Sequence, residues 1–195
     1  TLSSSSAASD VYKRQILVDL VADKLSSVEK CKSPFYEPGI DEMLGKHISS
    51  GAVTTSLDVQ DAVDRTDITF ITVGTPSRED GSMDDKYIRS AAREIGTSLL
   101  GKDGFHTVVM RSTVTPQTTD KLIRNILEEV SGKTCGEGFG LAMCPEFLRE
   151  GAAMHDSLNP DRIVIGTKED DAFEILEELF RPLGSRVMRT CLLYT

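Results

Sequence analysis

The chain has 195 residues, with 31 acidic against 22 basic side chains and a formal net charge of −9. That length suits one domain, or one with an appendage, and is enough to bury a real core. The acidic balance argues against a nucleic-acid partner, whose phosphates need a basic surface. It leaves room for a small anionic ligand, because backbone N–H groups can hold one. Hydrophobic residues make up 39% and charged residues 27%, the composition of a soluble globular protein. No apolar run reaches the roughly 20 residues of a membrane span, so no membrane partner is expected. Cys31, Cys135, Cys144 and Cys191 form no C-x-x-C pair, and His47, His106 and His155 are the three histidines. No metal site is expected from them, and the cysteines read as reduced thiols of a cytoplasmic protein.

Residues 1–15, "TLSSSSAASDVYKRQ", are serine-rich and lack both periodicity and the apolar core of a signal peptide. They read as a non-native or disordered leader, and residues 191–195 as a non-native tail, which leaves 16–190 as the folded domain. Ile16–Val18 is a short strand and Asp23–Lys30 a helix. "SPFYEPGIDEML" is a Pro-punctuated loop whose Pro38-Gly39 leads into a second helix. "AVTTS" reads as a strand, Leu57–Val63 as a short helix, and "DITFITVG" (67–74) as a strand buried on both faces. After the loop "TPSREDGSMD", Ile88, Ala91, Ala92, Ile95 and Leu99 mark a helix. "HTVVMRST" (106–113) is another buried strand. A helix opened near Pro116 carries Leu122, Ile123, Ile126, Leu127 and Val130 on one stripe. "GFGLAM", "DRIVIG" (161–166) and "SRVMR" are further strands, with a helix bearing Phe173, Leu176, Leu179 and Phe180 between the last two.

Repeated strand–helix alternation predicts an α/β fold: a doubly wound, open parallel sheet with right-handed crossovers and helices on both faces. Ligands in such sheets bind outside the carboxyl ends of the strands, so the informative residues are those that follow each strand. Asp19 ends its strand with an acid. In a dinucleotide-binding sheet an acid at the end of the second strand accepts hydrogen bonds from the adenosine ribose and repels a 2′-phosphate, selecting NAD over NADP. Its ordinary alternative is a solvated helix cap. Lys24, five residues on, could reach the same ribose or a phosphate, or simply be solvated. Gly74 and Thr75 in "VGTPS" open a strand's mouth to close approach, as a plain turn also would. Ser112 and Thr113 stand between a strand and a helix start, where anions or bound water are held and where hydroxyl caps are common. Glu146 and Glu150 in "CPEFLREGAA" would share one side if the segment were helical, suited to dividing proton transfer and ligand binding; the alternative is a solvated acidic face.

Taken in order, "SPFYEPGIDEML", "FITVGTPSREDGSMD", "VVMRSTVTPQTT" and "CPEFLREGAA…NPDRIVIG" resemble the NAD-binding domain of the UDP-glucose/GDP-mannose dehydrogenase family. The likeness runs from about Ile16 to about Leu183. It implies a Rossmann-like fold, NAD as cofactor and a nucleotide sugar as small-molecule partner. The implied reaction oxidises the C6 alcohol of UDP-glucose to UDP-glucuronate with two NAD in succession, through a cysteine thiohemiacetal and thioester. GDP-mannose is the alternative substrate, and a non-catalytic nucleotide-binding module the alternative class. The resemblance assigns Asp19 to the ribose and Lys24 to the adenosine half. It makes Gly74, Thr75 and Thr113 cofactor contacts, with Thr113 also holding the catalytic water. Glu146 assists thioester hydrolysis, Glu150 contacts the nicotinamide side, and Glu146, Phe147, Leu148, Arg149 and Glu150 touch the sugar nucleotide. The parent is expected to be a homo-oligomer.

The chain departs from the family pattern in three respects. A Gly-rich phosphate loop and first strand should precede Asp19 by about 20 residues, yet the first glycine here is Gly39. The expectation is therefore a sheet lacking its first strand, with weak NAD affinity. The catalytic cysteine belongs to a later Gly-Phe-Gly motif. "EGFGLAMC" mimics that motif, but Cys144 stands where the family has Asn before Pro-Glu-Phe, so it reads as a loop substitution and not the nucleophile. The substrate domain is absent, so the chain itself is expected to be inactive.

Overall fold

The structure is a computed structural model that describes residues 14–192. Residues 1–13 and 193–195, which hold most of the expected leader and tail, lie outside the described residues. Gln15 opens the first strand, and Leu192 is buried in the larger core cluster, so the folded unit runs slightly past both expected boundaries.

The strands are β1 (Gln15–Val18), β2 (Val53–Ser56), β3 (Ile68–Ile71), β4 (Thr107–Met110), β5 (Gly140–Met143), β6 (Arg162–Thr167) and β7 (Arg186–Thr190). The helices are α1 (Ala22–Glu29), α2 (Ile40–Ser49), α3 (Val59–Asp64), α4 (Lys86–Gly101), α5 (Arg124–Ser131), α6 (Ala153–Leu158) and α7 (Asp170–Phe180). Asp58 caps α3 by accepting the Gln60 N–H at 2.8 Å, which starts that helix two residues later than the sequence suggests. The segment before α5 winds as a π-helix over Thr118–Ile123.

The expected helix layers on both faces are present. Val108 and Met110 of β4, with Leu141 and Met143 of β5, face one cluster with Ile88, Ala92, Ile95 and Leu99 of α4 and Leu127 of α5. Val109 and Ala142 point the other way, into a second cluster with Ile163 and Ile165 of β6 and Leu176 and Phe180 of α7. This period-two division is what a strand buried on both faces produces, and every residue of β4 and β5 is buried.

One expectation is corrected. The sheet is not wholly parallel: β5 and β6 pair antiparallel, with Ala142 opposite Thr167 and Met143 opposite Gly166. A parallel return needs a crossover packed on the sheet, but the intervening α6 has six residues and buries none of them. The described strands also do not form one continuous sheet. The strands form a five-stranded sheet ordered β3-β4-β5-β6-β7 and a separate parallel pair β1-β2. Among the described residues no strand pairs with both β1 and β3. In the common dinucleotide-binding order, β2-β1 and β3-β4-β5 occupy the places on either side of a central strand. Leu17 and Val18 of β1 are exposed.

Candidate functional site

Asp19 follows β1 directly, and its carboxylate does local work. Oδ1 accepts the Val21 N–H at 2.9 Å and Oδ2 accepts Lys24 Nζ at 3.2 Å. The Val21 N–H holds the carboxyl below its ordinary range, slight burial opposes this, and the Lys24 ammonium adds to the lowering. The structure thus brings Asp19 and Lys24 together at the strand end, with Lys24 exposed.

At the ends of β3 and β4 the chains are stitched together. The Arg111 N–H donates to Ile71 O at 3.0 Å, and the Ser112 hydroxyl donates to Val73 O at 2.7 Å. These bonds seat Gly74 and Thr75 beside Ser112 and Thr113 at one mouth of the sheet. A Cβ placed on Gly74 would meet nothing within 4 Å, so no internal packing requires glycine there. The space it leaves open is available to a ligand. Thr113 is exposed and Thr75 half-buried.

The loop after β5 does not meet the condition that would put Glu146 and Glu150 on one side, a helix. Residues 144–149 are irregular and a turn follows at Glu150–Gly151 before α6. Pro145 disfavours a helical Cys144, Glu146 Oε2 captures the Leu148 N–H at 2.5 Å, and Gly151 adopts φ +76°. The two acids therefore do not stack on one helical face. Arg111 instead fastens the loop from below, donating to Cys144 O at 3.2 Å and reaching its Sγ at 3.3 Å. The Cys144 thiol is fully buried, and burial pushes its pKa up against the pull of Arg111. A thiol so placed is a poor nucleophile.

The remaining loop residues have protein partners. Phe147 lies under the Arg162 guanidinium, 4.7 Å from its ring centre. The Arg149 guanidinium forms a two-point pair with Asp156, at 3.0 and 2.7 Å, and its N–H donates to the same carboxylate at 3.0 Å. Leu148 and Glu150 are exposed. Two residues that the sequence did not single out contribute to the site. Arg111 anchors the loop, and Glu37, from the "YEPG" stretch, accepts the Gly151 and Met154 N–H groups at 3.2 and 3.3 Å. The bond from Glu37 puts the loop that follows α1 and the loop that follows β5 at the same end of the molecule. No sequence signal distinguishes such a carboxylate from a solvated one.

These residues fit the adenosine side of a dinucleotide. An ionised, acceptor-only carboxylate at a strand end suits a ribose diol, and open space stands over Gly74. No cluster of three or more His, Cys, Asp or Glu side chains among the described residues could hold a metal ion, and no helix among them is long and apolar enough to cross a membrane.

Residues 2–184 match the model of the UDP-glucose/GDP-mannose dehydrogenase family, NAD binding domain. The UDP-glucose 6-dehydrogenase AglM of Haloferax volcanii is 43% identical over 169 residues, covering 87% of this chain and 39% of that protein. The GDP-mannose 6-dehydrogenase of Pseudomonas savastanoi pv. phaseolicola is 41% identical over 172 residues, covering 88% and 39%. A ternary-complex crystal structure of GDP-mannose dehydrogenase from Pseudomonas aeruginosa superposes with a TM-score of 0.91 at 36% identity, covering 95% of this chain and 43% of that one. The chain thus spans about two fifths of the length of these relatives. It belongs to the UDP-glucose/GDP-mannose dehydrogenase family, as an NAD-binding domain with a Rossmann-type α/β fold.

Proposed function

We propose that the chain is the cofactor half of a nucleotide-sugar 6-dehydrogenase that oxidises the C6 alcohol of UDP-glucose to UDP-glucuronate. GDP-mannose is the second reading, favoured by relatives of that name at 41% identity. The observation that carries the proposal is Asp19: an ionised carboxylate at the end of β1, locally fixed by Val21 and Lys24. Asp19 holds the adenosine ribose and Lys24 the same half of the cofactor. Gly74 and Thr75 admit the dinucleotide at the end of β3. Bound NAD supplies the hydride acceptor.

In this reading the other residues work on the substrate side. Thr113, exposed beside the Ser112 anchor, positions a water. Glu146 takes a proton from that water during thioester hydrolysis, and Glu150 lies toward the nicotinamide. Phe147, Leu148 and Arg149 shape the sugar-nucleotide wall, with Arg149 acting through its pair with Asp156. The nucleophilic cysteine is not Cys144, whose thiol is buried and raised in pKa. The partner is a small nucleotide sugar, the setting cytoplasmic and the whole protein a homo-oligomer.

On its own the 195-residue chain, whose first glycine is Gly39, should hold NAD weakly, because its residues 1–18 offer no glycine for a phosphate turn. It should also lack turnover. An NADH absorbance assay with UDP-glucose and with GDP-mannose is expected to stay flat; clear turnover by this chain overturns the reading of it as the cofactor half.

A further inference from the structure

Glu37 is a buried carboxylate that none of the roles above uses. It is 7% exposed, and its two oxygens accept backbone N–H groups 114 and 117 residues away, Gly151 to Oε2 and Met154 to Oε1. Both partners are held in place by their own neighbours. On the Glu37 side, Asp41 Oδ1 accepts the Ser33 N–H at 2.8 Å, the Ile40 N–H donates to Glu37 O at 3.3 Å, and Gly39 turns the chain into α2 at φ +82°. Pro34 and Pro38 restrict the stretch between. On the far side, the Ala152 N–H donates to Arg149 O at 3.0 Å and Asp156 grips Arg149. Two preformed loops therefore meet through a single carboxylate. One follows α1, within the connection from β1 to β2. The other belongs to the five-stranded sheet.

We infer that Glu37 is a positioning residue that clasps the turn at 149–154 to the β1-β2 side of the molecule and so sets the spacing between Asp19 and the loop bearing Glu146 and Glu150. The pair and the sheet share no strand hydrogen bonds, so a clasp at the loop level substitutes for a ladder there. A carboxylate suits the task because it accepts at both oxygens. An amide offers one acceptor and turns its NH₂ group on the second N–H. The functional meaning of this spacing rests on the proposed NAD and substrate roles, but the clasp itself does not.

The test is residue-resolved amide hydrogen exchange on the 195-residue chain, comparing wild type with Glu37→Ala and Glu37→Gln. In Glu37→Ala, exchange at Gly151 and Met154 should rise about tenfold, the scale of losing a hydrogen bond to a charged acceptor, while Val108–Met110 of β4 exchange as before. In Glu37→Gln, one of the two amides should stay protected and the other should not. A merely structural loss would instead speed exchange throughout the chain and spare neither amide. Unchanged exchange at both amides, or a uniform rise across the chain in both variants, overturns the inference. NAD titrated into the same proteins separates the two ideas. A wild-type chain that fails to bind NAD refutes the site reading, yet the exchange pattern still decides the clasp.

Discussion

The five-stranded sheet and the β1-β2 pair are built to different standards. The larger sheet buries every residue of β4 and β5 and also buries charge. Asp120, 8% exposed, accepts Lys168 Nζ at 2.8 Å from both oxygens and Arg124 Nε at 3.2 Å, and Arg124 continues to Glu169 at 3.1 Å. Burial alone would raise the Asp120 pKa, but the Lys168 and Arg124 charges hold it below the ordinary range. In the pair, Leu17 and Val18 are exposed and Asp19 makes short-range contacts near solvent. The larger sheet therefore carries the stability, and the pair carries the proposed ribose acceptor, Asp19, on a lightly packed support.

The comparison breaks first at Asp120. Asp120→Ala removes the buried partner of Lys168, which is exposed, and of Arg124, which keeps Glu169, and should cost about 2–3 kcal/mol in urea unfolding. Asp19→Ala removes an exposed pair and should cost about 1 kcal/mol or less. Equal losses would mean that the two regions are not differently built.

His106 tests the same region by pH. Its ring is buried, Nδ1 donates to Thr66 O at 3.0 Å, and Nε2 accepts the Thr69 hydroxyl at 2.8 Å. Burial, and then the Lys102 charge, lower its pKa from 6.5 to about 4, against the Thr66 bond. As pH falls from 6.5 toward 4 the unfolded chain binds this proton before the folded one does. The contribution is whole above pH 6.5 and is lost on the way down, on the order of 3 kcal/mol in all. His106→Gln should flatten that stretch of the stability-versus-pH curve. A wild-type curve already flat there contradicts the assignment.

The smallest effect lies in the pair. Cys31 ends α1 in the left-handed region at φ +59°, where its N–H donates to Val28 O at 2.8 Å and the Lys32 N–H to Ser27 O at 2.9 Å. This helix ending favours glycine. Cys31→Gly should raise stability by about 0.5–1 kcal/mol, with slower amide exchange confined to the pair. A loss of stability would show that the thiol packing near Gly45 matters more than the backbone.

Most of the five-stranded sheet was legible because its strands are uninterrupted apolar runs and its helices carry clear stripes, as in Val108–Met110 or Ile88 through Leu99. The antiparallel β6 was not. "DRIVIG" reads the same in either direction, and only the shortness of α6 decides. That Asp19, Gly74 and Thr113 follow strands was legible because position after a strand is a sequence property. Glu146 and Glu150 would share one side only on a helix, and Pro145 and the capture of the Leu148 N–H by Glu146 prevent one. Glu37 and Arg111 escaped because their partners are 33 to 117 residues away, and nothing local marks a carboxylate or guanidinium that will find so distant a partner.

The central claim is that Asp19 reads the adenosine ribose of NAD. Calorimetric titration of the chain with NAD and with NADP, in wild type and in Asp19→Ala, tests it most directly. The account predicts weak but measurable NAD binding, weaker NADP binding, and loss of that preference in Asp19→Ala with the fold intact. Equal affinity for the two cofactors in wild type, or a preference that survives the substitution, would contradict it.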